Sequence, residues 1–405
     1  MMRMNTRRDR LSSLSDDLIV KILSYNNTKQ AIRTSSLSSR WKNIWKSIPH
    51  LDLSTDDFTS LNRFHDFTSL FSSRNNDLHE VTRVLSSRNN EIELSSLKLG
   101  VRRWGYNQAF VKTVVDYAFS HNVKKMTIIW SDDMHNEIPN YLFMSHSLSD
   151  LTFIGDVPYL QQPEIRSSFD LPALTTLYLE NVSLKNENPD ECGGVFFKCL
   201  NLKNLILFKC YVGEPKRLIR HSEFSKLTIE KGLYSFANVV VPHLKNLTIV
   251  DCQGVYLYIY APELSSLMFE VSYYQNFFAN GLSCLEKVEF YMCPFEEDSY
   301  AVIETLQRFH NVKHLTLGLE IIEVASFVNG VSNLPSPFDK LTSLEIYPRR
   351  LERKENVKKV KIPKKVRNFL LGASPNATVS IYSRKEVKAL NHATSAQRML
   401  AKLQV

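Results

Sequence analysis

Six cysteines and eleven histidines are the side chains of this 405-residue sequence best suited to hold a metal or act as nucleophiles. Either chemistry needs partners at close, repeated spacing, and the chain contains no C-x-x-C and no H-E-x-x-H. Cys210, Cys252 and Cys293 instead stand three residues after Leu207, Ile249 and Phe290, at the end of an L-x-x-L-x-L-x-x-C pattern. In that setting a thiol reads as a small buried hydrophobe in a turn. Cys192 and Cys199 have no second pair with which to form a site. The acidic runs Asp56-Asp57, Asp132-Asp133 and Glu296-Glu297-Asp298 read as loop or helix-start residues. Twelve glycines are few, and neither G-x-x-x-x-G-K-[ST] nor G-x-G-x-x-G occurs, so no phosphate-cradling loop is expected. No catalytic residue, metal or cofactor is predicted.

What positions the cysteines is a repeat. L-x-x-L-x-L, or a close apolar variant, returns with first positions Leu94, Val123, Leu148, Leu174, Leu202, Phe224, Leu244, Leu264, Leu285, Val312 and Leu341, spaced 20 to 29 residues apart. That period is the signature of leucine-rich repeats, in which each unit adds one strand to a parallel sheet and cannot bury its apolar side alone. A strand-rich solenoid is therefore expected over 94–347. Pro172, Pro242 and Pro262 precede a repeat's first Leu by two residues and end the element before it. Val239–Val241 and Val255–Tyr260 read as short strands on the other side of the array. Side chains between the inward Leu positions point outward by the period of two. This makes Tyr178, Ile206, Thr248, Met268, Glu289 and Thr316 the candidate contacts for a protein target.

Ahead of the repeats, apolar residues recur at helical spacing: Leu18, Ile22 and Leu23, then Ala31 and Ile32, then Trp41, Ile44 and Trp45. Three short helices are predicted, preceded by Ser15, Thr28 and Ser38 as capping residues. So small a segment buries little core by itself, so some of its apolar surface should face another chain. Asp9-Arg10-Leu11-Ser12, Leu14-Ser15-Asp16-Asp17-Leu18, Ile22-Leu23-Ser24, Thr28-Lys29-Gln30-Ala31-Ile32, Thr34 to Trp41 and Ile44-Trp45 resemble a plant F-box in order and spacing. Ser15 and Asn27 stand where that family usually has Pro, and Ser39 where it has Lys. The resemblance implies binding of a Skp-type adaptor of a cullin-based ubiquitin ligase, through Leu14, Leu18, Ile22, Leu23, Ile32, Leu37 and Trp41.

The fold class expected is thus α/β: a small N-terminal three-helix F-box (8–52), a junction (53–93), the leucine-rich-repeat solenoid (94–347) and an α+β C-terminal cap (348–405). The junction carries Leu61, Phe64, Phe67, Leu70 and Phe71 at helical intervals, and two S-S-R-N-N stretches, Ser72 to Asn76 and Ser86 to Asn90, that read as polar loops. The cap is read as a basic strand over Val357–Ile362, a helix over Lys364–Leu371, a strand over Ala377–Tyr382 and a helix over Arg384–Leu403. Ser395 to Leu400 also resembles the tails of plant F-box/LRR proteins.

The formal net charge is +8, and Arg349 to Arg367 alone holds ten Lys/Arg against two Glu. Ten minus two is the whole excess, so the rest of the chain is balanced and nucleic acid is not an expected partner. The alternation in Lys359-Val360-Lys361-Ile362 fits a half-buried strand with one solvated face, with a nuclear-import signal as the alternative. No secretory signal or run of 18 apolar residues is read, so the expectation is a soluble cytoplasmic and/or nuclear protein with no membrane partner. The function expected is that of a substrate-recognition subunit of an SCF-type ubiquitin ligase, with an unidentified protein target. A non-catalytic interaction scaffold without a ligase role is the alternative.

Overall fold

A computed structural model describes residues 13–58, 74–102, 108–131, 138–166, 168–185, 194–212, 218–232, 236–252, 256–271, 276–280, 282–292, 296–348, 362–382 and 386. The chain forms two compact units, residues 1–188 with 195–202, and residues 189–194 with 203–405.

The first unit opens with helix α1, Asp16–Leu23, and helix α2, Thr28–Arg33. Asp16 and Asp17 in the first turn of α1 and Lys21 in its last suit the helix dipole, although the Ser15 side chain makes no capping bond. At α2 the cap is Asn27, whose side chain accepts from Gln30 N at 2.8 Å; Thr28, expected to cap, lies inside the helix. The helix stops where hydroxyls turn back on it, Thr34 Oγ1 donating to Ala31 O at 2.6 Å and Ser36 Oγ to Arg33 O at 2.8 Å. Such bonds compete with helix continuation. The third expected helix is replaced by a turn at Ser38 to Asn43 and a short 3₁₀ segment, Ile44–Ser47. Trp41, Ile44 and Trp45 still point inward, forming one apolar core with Ile19, Leu23, Ala31 and Ile48.

Five parallel strands follow in this unit: His50–Ser54, Ser96–Arg102, Lys125–Ser131, Asp150–Gly155 and Thr176–Glu180. Burial alternates along them, with Leu97, Leu99, Met126, Ile128, Leu151, Phe153, Leu177 and Leu179 all inside. Helices Arg74–Ser86 and Gln108–Ser120 cover that side, the latter burying Phe110, Val111, Val114, Val115 and Ala118. The apolar junction positions Leu61 to Phe71 lie outside the described residues. Asn75 and Asn76 belong to the helix Arg74–Ser86, whereas Ser87 to Asn90 form a turn.

In the second unit eight parallel strands stand in sequence order: Asn204–Phe208, Lys226–Glu230, Asn246–Val250, Ser266–Val271, Lys287–Met292, His314–Gly318, Ser343–Tyr347 and Thr378–Ile381. Every repeat start read from the sequence is buried and is followed two residues later by a strand. The protein is thus α/β, with a strand-rich parallel-sheet repeat region of the leucine-rich-repeat kind. A second parallel sheet, Leu218–Arg220, Phe236–Val240, Tyr256–Tyr260 and Asn276–Asn280, takes the place of helices. Helix Lys364–Leu371 and strand Thr378–Ile381 appear where expected, while nearly all of the basic strand at Val357–Ile362 and of the helix at Arg384–Leu403 lie outside the described residues.

The turn after each strand explains the cysteines. Lys209, Lys231 and Asp251 have φ between 51° and 54°, a left-handed backbone that costs an L-residue roughly 1–2 kcal/mol. Their N–H groups each donate at 2.8 Å to the neighbouring strand, at Glu230 O, Val250 O and Glu270 O, which holds the chain there. The next residue is thereby turned inward, and Cys210 and Cys252 are buried. Burial pushes the Cys252 thiol up to about 11 and the Cys199 thiol up to about 12, which leaves both protonated at neutral pH. Cys192 and Cys293 lie outside the described residues.

Candidate functional site

The N-terminal core sorts the adaptor candidates into two sets. Leu18 (50% exposed), Ile22 (41%) and Leu37 (67%) face outward, joined by Tyr25 (82%), which the sequence reading did not single out. Leu18, Ile22 and Tyr25 follow at helical intervals along and just beyond α1, on a face turned about 100° from that of Ile19 and Leu23. Large apolar side chains grouped at a surface mark a place of contact more often than scattered ones do. Leu14 and Ile32 are half-buried against the core. Leu23 and Trp41 lie within it, so any part they take in adaptor binding runs through holding the outward residues in place.

Arg40 frames this surface. Its guanidinium donates to Asp16 Oδ1 at 2.6 Å and to Leu14 O at 2.5 Å, tying the loop after α2 to the start of α1. The pair is solvent-exposed and contributes position more than stability. The two positions where the sequence departs from the expected Pro, Ser15 and Asn27, are the N-cap residues of α1 and α2.

Residues 11–52 match the F-box domain family. The chain carries an F-box. Three proteins similar over longer stretches come from Arabidopsis thaliana. An FBD-associated F-box protein is 26% identical over 65% of this chain and 60% of its own length. An F-box/FBD/LRR-repeat protein is 27% identical over 85% of the chain and 67% of its own length. A putative F-box/FBD/LRR-repeat protein is 30% identical over 63% and 56% respectively. The chain spans 36 to 60% of the length of the first three such relatives. An N-terminal F-box, a leucine-rich parallel sheet and these relatives together fit a plant F-box/LRR-repeat protein.

Strand register brings the target candidates of the second unit into line. Ile206, Thr228, Thr248, Met268, Glu289, Thr316, Glu345 and Ser380 are successive cross-strand partners on the outward face of its sheet. Ile206, Thr248, Met268 and Glu289 are half-buried there and open on one side. Thr316 is buried, because it is flanked by the longer Glu289 and Glu345, and it presents little to a partner. Tyr178 belongs to the first unit, where its hydroxyl donates to Glu180 Oε2 at 2.7 Å. The sequence reading passed over Glu345 and Tyr347, both half-buried; carrying the period-two rule onto the next strand would have found them. Glu289 meets Lys287 at 2.8 Å, and the Tyr347 ring stacks on Tyr382 with centroids 4.3 Å apart.

Among the described residues, no three His, Cys, Asp or Glu side chains are grouped to hold a metal, and no helix is long and apolar enough to cross a membrane.

Proposed function

We propose that this chain is the substrate receptor of an SCF-type ubiquitin ligase, docking on a Skp-type adaptor through the F-box and on a protein target through the outward strand positions of the repeats. The observation that supports it is the outward set Leu18, Ile22, Tyr25 and Leu37, in a segment that matches the F-box and has already filled its own core with other side chains. The receptor's contribution is geometric and non-catalytic. Holding an acceptor lysine of the target close to a charged ubiquitin carrier raises effective concentration without new chemistry. A strand face of mixed Ile, Thr, Met and Glu suits a protein partner.

The test is affinity for a Skp-type adaptor, measured on the full chain. Ile22→Asp places a charge in the middle of the outward set, and interface centres of this kind lose about 2 kcal/mol or more, roughly thirty-fold in Kd. Because Ile22 lies outside the core, thermal stability should change by no more than about 0.5 kcal/mol. A wild-type chain that fails to hold the adaptor, or a variant that binds as well as wild type, overturns the proposal.

A further inference from the structure

The F-box has no linker behind it. The 3₁₀ segment Ile44–Ser47 passes through Ile48 and Pro49 directly into the strand His50–Ser54, which pairs with Ser96–Arg102 of the first repeat. Main-chain and side-chain bonds fasten that passage: Ser95 N donates to Pro49 O at 2.8 Å, Asn89 N to Lys46 O at 3.1 Å, and Asp52 N to Thr28 Oγ1 of α2 at 3.0 Å. Arg88 stands at the centre. One Nη donates to Ile48 O at 2.8 Å, at the end of the F-box, and the other to the Tyr117 hydroxyl at 3.0 Å, on the helix Gln108–Ser120. Its guanidinium also lies 5.9 Å from the centre of the Tyr117 ring.

This cation is only 5% exposed, and its Nε has no hydrogen-bond acceptor among the described residues. Burying a charge in this way costs stability, and an aliphatic side chain would fill the volume without that cost. What the guanidinium supplies, and an aliphatic chain does not, is direction. It is a planar fork whose donors reach two acceptors at a fixed angle. Here those acceptors belong to the F-box and to the first repeat helix.

We propose that Arg88 is a positioning residue, which fixes the F-box, and the adaptor it carries, at one orientation to the sheet of the first unit. The proposal rests on the ligase reading above. Proximity transfer depends on a defined span between the docked carrier and the held target, so a residue that sets the span controls transfer without touching either partner. Arg88 acts through Ile48 and Tyr117.

Spin labels on ketone-bearing amino acids at the exposed positions Lys42 and His146 read this orientation in the full chain, with the adaptor bound. The wild type should give one narrow distance distribution. Arg88→Ala should shift or broaden it by several ångströms while adaptor affinity is unchanged, and Arg88→Lys, which keeps the charge but loses the fork, should fall between. Tyr117→Phe removes only a hydroxyl, so it should broaden the distribution with little loss of Tm and serves if Arg88→Ala folds poorly. A purely stabilising role would lower Tm and leave the distances unmoved. That result, or a wild-type distribution that is already broad, overturns the proposal. Failure of the wild type to hold the adaptor removes the ligase reading, and the positioning role with it, whatever the distances show.

Discussion

Leu51 and Leu53 on the first strand, and Val379 and Ile381 on the last, occupy equivalent inward positions: the former pair with Leu97 and Leu99, the latter with Leu344 and Ile346. Yet Leu51 and Leu53 are 3% and 0% exposed, whereas Val379 and Ile381 are 38% and 40% exposed. The difference lies in what comes next along the chain. At the first strand, α2 lies against the backbone and Thr28 accepts from Asp52 N, so the F-box closes the end of the sheet while it offers its other side outward. At the last strand, helix Lys364–Leu371 buries Val366, Phe369, Leu370 and Leu371, and the strand beyond remains uncovered among the described residues. Repeat arrays need their terminal faces closed. Here the F-box does that work at one end, so under the proposed function adaptor docking and array stability would share a set of core residues.

The largest effect expected from this contrast is at the closed end. Leu53→Ala deletes a fully buried side chain and should cost about 2–5 kcal/mol, while Ile381→Ala, half in water already, should cost about 1 kcal/mol or less. Urea unfolding of both variants reads the two values on one scale. Equal losses would mean that the last strand is covered after all, and that the two ends are finished alike.

A second, smaller effect concerns what covers Val379 and Ile381. The sequence predicts a helix over Arg384–Leu403 directly after that strand. Deleting 387–405 should leave adaptor affinity intact and promote self-association, since an open strand edge with apolar neighbours is a template for pairing. Sedimentation velocity over a concentration series checks this; a monomer at every concentration would show that the tail does not shield the edge.

How much of this was legible in the sequence depends on how far apart the cooperating residues are. The repeat strands were readable because L-x-x-L-x-L encodes its own burial within six residues, and the Cys after it marks the turn. The F-box was readable as an ordered motif, but a motif names positions without saying which side of a helix they face; Leu23 and Trp41 went inward while Leu18, Ile22 and Leu37 went outward. Ile48-x-x-Leu51-x-Leu53 carries the repeat pattern too, but it straddles the end of the F-box at residue 52, where the motif masks the repeat. Arg88 was not readable at all. It sits in a stretch that looks like a polar loop, and its burial depends on Ile48 and Tyr117, 40 and 29 residues away.

The smallest expected effects separate the two ends by pH. At the open end, the Tyr347 hydroxyl donates to Glu345 Oε2 at 3.0 Å and lies beside Tyr382. Burial, then hydrogen bonding to Tyr382 and Glu345, raises its pKa above the ordinary tyrosine value. A raised acid stays protonated in the folded state after the unfolded chain has ionised. Its contribution is therefore complete below roughly pH 10 and is lost as pH rises from there. At the closed end, His50 bonds Ser96 Oγ through Nδ1 at 2.8 Å, and desolvation lowers its pKa from 6.5. A lowered base resists protonation when folded, so its contribution is present above 6.5 and is lost as pH falls through the folded value. Thermal melts of wild type, Tyr347→Phe and His50→Asn across this range test both signs. Tyr347→Phe should cost about 0.5–1.5 kcal/mol at neutral pH, and that difference should shrink above roughly pH 10. His50→Asn should differ from wild type less, with the variant gaining on it only as the solution becomes acid. If both variants changed their standing on the same side of neutrality, the closed and open ends would not be held by different groups, and the contrast between them would reduce to exposure alone.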